Sequence, residues 1–566
     1  MDTFPSATGP HGPRIRLNDG TERAWEGFGT GPYVHQGGLA DYSARLLGLT
    51  PQQAEQEAAR RLLPYRATPQ DREPSLFLHG ATPANRHFEG DVADLAEGRP
   101  PYDCATYLEA RAAFLARPGD LLVGRTRPWR EAAEVFGVDA VDLQDLKHYY
   151  LCQALLATAV RHTESHPESH HDKDASPLGR VIAWLCARPH AVVRPYALDG
   201  ETQIFLLWLL RRTGLERLHT DANSPRVATA WNSKNHIHPY IRDAEELPTH
   251  KGMPPDRLLA AEQRLSLAHR RLGLVMPVLP GYTVRRHPDE PDRFADDTGR
   301  AADLLRRRYG LRRAFFKPCE AGSGARIVGP VDLHDAARLR DAATEAHQHG
   351  DDYLLEAAVD YLTYDDGGGS RCPVAPSGHI RDGRVAPGLT LQILNGYAWE
   401  GNVFTDRAGW QRCGLPPALY DTMARAMEAL HTAFLSQASV TDGSHGGLVT
   451  GGVDFAVGRI GGVFGDEVLA AAIDFNLSSH GAEYLRTFQD KSGARYAATR
   501  LFRPSATATL TAGRAAVPDA DLIACVPDRW GMVAATGLDV LDAAEETRRR
   551  IDVLASAGLV HRARQR

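Results

Sequence analysis

Two short apolar strands, each with an acid at its centre, constrain this fold more than any other feature. In GGVDFAVGRIGGVFGDEVLAAAIDFNLSSHG, residues 451–481, VDFAV and LAAAIDFNL both read as strands, and the glycine-rich segment between them lets them pair as a hairpin. Side chains alternate faces along a strand, so Ile473, Phe475 and Leu477 point one way and Asp474 and Asn476 the other. Val453 and Phe455 flank Asp454 in the same manner, which brings Asp454 to that polar face across the pair. Two carboxylates and a carboxamide together suit a hard cation such as Mg2+, which takes one or two carboxylates and completes its octahedron with waters and phosphate oxygens. The alternative is the solvent-facing side of an amphipathic hairpin.

A second stretch, FFKPCEAGSGARI at residues 315–327, delivers Lys317 from an apolar strand into a glycine-bearing loop. Glycines allow backbone N–H groups close to phosphate oxygens, and the ammonium supplies charge; a plain surface turn is the other reading. The stretch then runs into a helix, DLHDAARLRDAATEAHQHG, and a strand, DDYLLEAAVDY, that leads into Glu356. Strand, glycine loop, helix and strand make a compact α+β module whose loop and last strand can flank one nucleotide. Further on, GLTLQILNGYAWEGNVF reads as a strand containing Gln392, a turn, and Asn402 after a second glycine.

The rest of the 566 residues must form more than one domain, since a single core stops growing well below that length. A net charge of −6 and an ordinary apolar fraction give no footing for nucleic acid. The longest apolar run, IFLLWLL, is far short of the roughly 20 residues of a spanning helix, so no membrane partner is expected. MDTFPSATGPHGPR lacks the basic start and apolar core of a signal peptide, and a cytoplasmic protein is expected. Seven scattered cysteines without CxxC spacing read as free thiols, Cys319 included.

From Pro118, strands (GDLLVGRT, HAVVRPYA) alternate with helices (REAAEVFGV, VIAWLCA, ETQIFLLWLLRRTG), the pattern of an α/β layer with a parallel sheet. Between them RHTESHPESHHDKD carries four histidines among acids and reads as a solvated loop rather than a metal site. LLGLTPQQAEQEAARRLL is expected as one amphipathic helix, residues 256–271 as another, DDGGGSRCPVAPSG as an insert without structure, and AEYLRTFQDKSGARYAATRLF as helical. PPALYDTMARAMEALHTAFL is a helix whose methionine stripe fills the core, CVPDRWGMVAATG a strand pair, and LDAAEETRRRIDVLASAGLV a closing helix. Lys234 stands in a polar, loop-like setting from which it could reach a triphosphate.

With KPCEAGSGARIV, YLLEAAVDY, VDFAV and AIDFNLSSHG in this order, the chain resembles the ATP-grasp carboxylate–amine ligases from about Trp231 to Gly481. A narrower likeness runs to actinobacterial natural-product amide ligases of the pheganomycin type. The resemblance implies an α/β and α+β multidomain protein with an ATP-grasp fold. Residues 1–115 have no assigned role, 116–255 form the α/β pre-ATP-grasp domain, 256–365 the small lid subdomain, 366–500 the catalytic subdomain and 501–566 an extension.

It further implies that ATP lies against Lys317, Lys234 and the backbone of Gly322, Ser323 and Gly324, with adenine and ribose at Glu356, Ala358, Val359 and Asp360. Asp454, Asp474 and Asn476 hold Mg2+, with Lys317, Asp474 and Asn476 at the chemistry; Gln392, Asn402, Ser478, Ser479 and His480 meet the substrates. Two departures stand out. The second-strand acid is usually glutamate, one methylene longer than Asp474, and the transition-state arginine of many relatives is unassigned. The expected reaction joins a small carboxylate to an amine through an acyl phosphate. Loading a carrier-protein thiol, or a regulatory protein with a degenerate nucleotide site, are the alternatives, and homo-oligomerisation is open.

Overall fold

The structure, a computed structural model, describes residues 38–65, 73–83, 104–125, 129–144, 148–165, 175–247, 253–320, 326–365, 371–396, 398–436, 447–518 and 521–561, with short pieces at 14–16, 22–24 and 91. Gly322, Ser323 and Gly324, and the histidine-rich residues 166–174, lie outside these. The protein is a multidomain α/β and α+β chain. By internal contacts it divides into one unit of residues 1–229, 501–534 and 548–566, and a second of 230–500 and 535–547.

The first unit is built on six parallel strands: β1 (Leu62–Pro64), β2 (Ser75–Leu78), β3 (Leu121–Gly124), β4 (Asp139–Asp142), β5 (Val192–Pro195) and β6 (Leu218–Thr220). Their order across the sheet is β1-β6-β5-β2-β3-β4. The sheet thus takes in β1 and β2, upstream of the point where the alternating pattern becomes legible. One expected helix resolves differently and another is present as expected. LLGLTPQQAEQEAARRLL is divided between Leu39–Leu47 and Pro51–Arg61, because Gly48 closes the first in the left-handed region (φ 62°) and Thr50 caps the second through a reciprocal bond with Gln53. The helix Gly200–Thr213 is apolar all round, and Ile204 to Leu210 are all buried, as such a helix must be. Asp199 caps it and Gly214 ends it.

Two sheets of the second unit carry the candidate site. The smaller has four antiparallel strands, β7 (Gly281–Val284), β8 (Arg313–Pro318), β9 (Val328–Asp332) and β10 (Tyr353–Ala357), in the order β9-β8-β10-β7. One face, with Ala314, Phe316, Tyr353, Leu355, Tyr282 and Val284, packs in a single core with residues of the helices Pro291–Tyr309 and Ala336–His347. Alternation then forces Phe315, Lys317, Leu354 and Glu356 to the other face.

The larger sheet runs β11 (Asp360–Tyr361), β15 (Gly451–Arg459), β12 (Pro376–Arg381), β13 (Leu389–Asn395), β14 (Ala398–Thr405), β17 (Tyr496–Phe502), with β16 (Leu469–Asn476) along β15. The expected β15–β16 hairpin is present, and so is β13–β14. Strand β12 comes from the stretch expected to lack structure; Pro376 and Gly378, poor strand formers, hide it, yet Gly378 is needed because a Cβ there would lie 2.4 Å from Met427 of the helix Pro417–Ser436. AEYLRTFQDKSGARYAATRLF is helical only over Ala482–Ser492; Gly493 stops it (φ 68°) and β17 follows. Residues 256–271 likewise break into Pro255–Gln263 and Leu267–Leu272, the second capped by Ser266. Among the described residues no helix is long and apolar enough to cross a membrane.

Candidate functional site

The acidic hairpin sets the site. Asp454 and Asp474 are directly opposite each other, and Gly452 is opposite Asn476. Just beyond the acids the register shifts, one residue of β16 bulging between the pairs Asp454–Asp474 and Phe455–Ala472. Such a bulge re-aims side chains locally. Asn476 Nδ2 donates to Asp454 Oδ2 at 2.9 Å, and Ser377 of β12 donates its hydroxyl to Asp454 Oδ1 at 2.5 Å. Gln392 Nε2 donates in turn to Ser377 Oγ at 2.8 Å. Ser377 is missing from the sequence expectations because the strand that carries it was not legible.

The electrostatics are those of two acids crowded together. Burial and the neighbouring Asp474 push the Asp454 carboxyl up to about 6, against the pull of Ser377, Gln392 and Lys234. Burial also raises Asp474, although Lys234 and Lys317 both favour its charged form. Lys234 Nζ lies 2.8 Å from Asp474 Oδ2. Among the described residues no three His, Cys, Asp or Glu side chains gather as a metal cluster, so a cation here would be held by two carboxylates and an amide. The donor set fits a hard divalent ion, and added positive charge would offset both the burial that raises the two acids and the Asp474 repulsion on Asp454.

Lys234 reaches the hairpin because residues 231–238 thread between the two sheets. It sits in a short 3-10 turn, Lys234–His236, rather than an open loop. Its N–H donates to the Cys319 carbonyl at 3.0 Å, and the Leu477 N–H donates to Asn232 Oδ1 at 2.7 Å. At the end of this segment His238 Nε2 lies 2.8 Å from Glu356 Oε2. Gly281 makes room for that imidazole, since a Cβ there would stand 3.1 Å from it.

Glu356 and Lys317 form a buried pair. Burial works to raise the Glu356 carboxyl, but Lys317 and His238 outweigh it and hold it below the ordinary carboxylate range. Beyond Glu356, the Ala358 N–H donates to the Arg313 carbonyl at 3.1 Å, Val359 is buried, and exposed Asp360 pairs with Arg313 at 2.8 Å. Burial pushes the Cys319 thiol well above its ordinary value, which disfavours a nucleophilic role.

The remaining candidates lie further along the polar face of the larger sheet. Gln392 and Asn402 are opposite each other on β13 and β14, and Asn402 is buried with its Oδ1 accepting from Thr390 at 3.4 Å. Ser478 and Ser479 are buried after β16, and Ser479 donates to Glu483 Oε2 at 2.5 Å. His480 stacks on His379, centroids 4.3 Å apart and planes 13° off parallel. His379 and His238 carried no sequence signal of their own; each acts through a partner distant in the chain.

No known family matches this sequence, and no curated protein does. Solved structures are similar in arrangement. N5-carboxyaminoimidazole ribonucleotide synthetase from Thermus thermophilus is 12% identical with a TM-score of 0.37, the match covering 81% of this chain and 98% of that one. D-cycloserine synthetase is 14% identical with a TM-score of 0.29, over 66% of this chain and 98% of its own. D-alanyl-alanine synthetase A from Vibrio cholerae is 13% identical with a TM-score of 0.29, over 51% and 67%.

Proposed function

We propose that this chain is an ATP-dependent carboxylate–amine ligase of the ATP-grasp kind. The observation that carries the reading is that Asp474 is acted on by both Lys234 and Lys317 although the three come from separate parts of the sequence. Two ammonium groups and two acids converging in a partly enclosed space is what a triphosphate and its cation require. Lys234 rests on Asp474 and Lys317 on Glu356. In this reading both lysines turn to phosphate oxygens when ATP arrives.

Asp454, Asp474 and Asn476 would hold Mg2+, which when bound offsets charge between the β- and γ-phosphates. The chain's own part is positioning and water exclusion. The substrate carboxylate attacks the γ-phosphorus and ADP leaves; the amine attacks the resulting acyl phosphate, and phosphate leaves as the amide forms. Gly322, Ser323 and Gly324 would cover the phosphates, Glu356 to Val359 would line the adenine and Asp360 would take the ribose hydroxyls. Gln392, Asn402, Ser478, Ser479 and His480 would face the substrates. Small amino-acid or peptide carboxylates joined to amines, as in natural-product assembly, are the substrate class this proposal favours, in the cytoplasm.

The test is mass spectrometry of reactions containing ATP, Mg2+ and pooled amino acids, seeking a product one water lighter than a summed pair. ADP formation should require both partners and vanish in Asp474→Ala. Unchanged turnover in that variant would remove the metal assignment, and a thioester on a partner protein would redirect the acceptor.

A further inference from the structure

Beyond the acids, the polar face of the larger sheet continues into a group of side chains around His480, of which His379, Arg381 and Arg486 have no role in the ligase reading. His379 follows Ser377 by two residues on β12 and therefore shares its face; the space for its ring exists because Gly452 opposite has no side chain, where a Cβ would meet His379 Cδ2 at 3.0 Å. His480 stacks on that ring. Arg486, on the helix Ala482–Ser492, lies over Phe404 of β14, 4.5 Å from guanidinium carbon to ring centroid, and acts electrostatically on both imidazoles, as does Arg381.

Several of their polar atoms have no hydrogen bond among the described residues. Among the described residues His379 Nδ1, both ring nitrogens of His480 and Arg486 Nε are buried with no hydrogen bond, and nearby on the same face so is Asn402 Nδ2. Arg486 is only 5% exposed, yet among the described residues it has no carboxylate partner. Its remaining contacts are long: Nη2 to the Gly388 carbonyl at 3.3 Å and Nη1 to Gln489 Oε1 at 3.5 Å. The nearby Asp490 is taken by Arg381 at 3.1 Å. Burial drags Arg486 down to about 9 and His480 to about 3. A buried guanidinium with no carboxylate bonded to it among the described residues, beside uncharged imidazoles whose nitrogens have no hydrogen bond there, is costly to keep unless something anionic visits it.

We propose that Arg486, His379 and His480 form a pocket for an anionic group, a carboxylate or a phosphate, carried by one of the substrates. The guanidinium supplies the charge and two donors, and each neutral imidazole supplies one N–H. That the anion belongs to a substrate rests on the ligase reading; the anion pocket itself does not. The ligand would extend along the sheet from the acids at Asp454 to Arg486, past Ser377 and Gln392.

The experiment titrates the full-length protein, 15N-labelled at histidine, with sodium phosphate and separately with sodium succinate, using sodium chloride at matched ionic strength as control. Two imidazole signals, assigned through His379→Gln and His480→Gln, should shift saturably. Arg486→Gln should weaken that binding about tenfold or more, the loss expected for one charge-assisted hydrogen bond, whereas Arg486→Lys retains part of it. A response to phosphate alone identifies a phosphoryl group, to succinate alone a carboxylate, and to both the shared chemistry.

Arg486→Gln should also unfold no earlier than the parent without added anion, because it removes an uncompensated charge; a purely structural arginine would lose stability. Should that variant fail to fold, the His379 signal in His480→Gln decides the matter: its shift should be lost or weakened, and an unchanged shift would overturn the proposal. Equal responses to chloride and the test anions, or equal affinity in Arg486→Gln, would overturn the proposal. ATP and Mg2+ are absent from the titration, so a chain that forms no ADP with any acid and amine defeats the ligase reading while the pocket stands.

Discussion

Replacing Asp454 by asparagine should make the nucleotide-free protein more stable while abolishing its response to Mg2+ and ATP. The carboxyl titrates near 3.8 in an open chain and about 6 here, because burial and Asp474 oppose its charge. At ~1.4 kcal/mol per pH unit, ionised Asp454 costs the folded state up to ~3 kcal/mol. The sign follows from proton binding. Between those two pH values the folded chain keeps a proton that the unfolded chain has released, so stability falls as pH rises through the window and stays low above it.

Asparagine cannot ionise, and its amide can still accept from Asn476 while donating to Ser377 Oγ. Losing the charge assistance in those two bonds returns ~1 kcal/mol or so, leaving a net gain of ~1–2 kcal/mol above neutral pH. Calorimetric unfolding midpoints across pH would measure it. The gain should shrink to nothing below the ordinary carboxylate range, and Mg2+ with ATP should raise the midpoint of the parent protein only. An Asp454→Asn variant that is less stable at alkaline pH, or whose gain is the same at every pH, would refute the reasoning.

Lys317→Met strands Glu356 as a buried carboxylate, so it should cost ~3 kcal/mol in denaturant titrations at neutral pH. Because Glu356 sits below its ordinary value of 4.5 in the parent, its contribution is present above that pH and lost as pH falls, and the variant's deficit should fade likewise. Adding Glu356→Gln should recover most of the stability and none of the ADP formation. Gly281→Ala drives a methyl to 3.1 Å from the His238 ring and should cost ~1–3 kcal/mol by thermal unfolding, with Glu356 losing its imidazole partner. Ser377→Ala should leave the fold intact and move the pH window of the Asp454 effect upward, since the serine favours the charged carboxyl.

Local patterns carried much of this protein. The alternation in VDFAV and AIDFNL was enough to pair the strands and to put Asp454, Asp474 and Asn476 on one face, because strand periodicity is a property of the chain itself. In the same way, the strand that carries Glu356 and the glycines that end helices at positions 137 and 214 were legible where they stand. What failed were elements whose residues dislike their conformation in isolation. Pro376 and Gly378 lie in a central strand only because β15, β13 and Met427 surround them, and Gly493 splits a run that composition alone would keep helical.

The partnerships that turn these elements into a site are long-range, and no local pattern encodes them. Lys234 against Asp474, His238 against Glu356, Ser377 against Asp454 and His379 against His480 join residues 77 to 240 positions apart; the first two depend on residues 231–238 packing against both sheets, and Ser377 meets Asp454 by strand pairing within the larger sheet. The sequence alone therefore determined which strands carry the acids and Lys317 and which way those side chains point, since that depends on neighbours in the chain. Tertiary structure decided which charges face each other, which acids are raised, and where a guanidinium is buried, since desolvation and Coulomb energy depend on distances that sequence order does not contain.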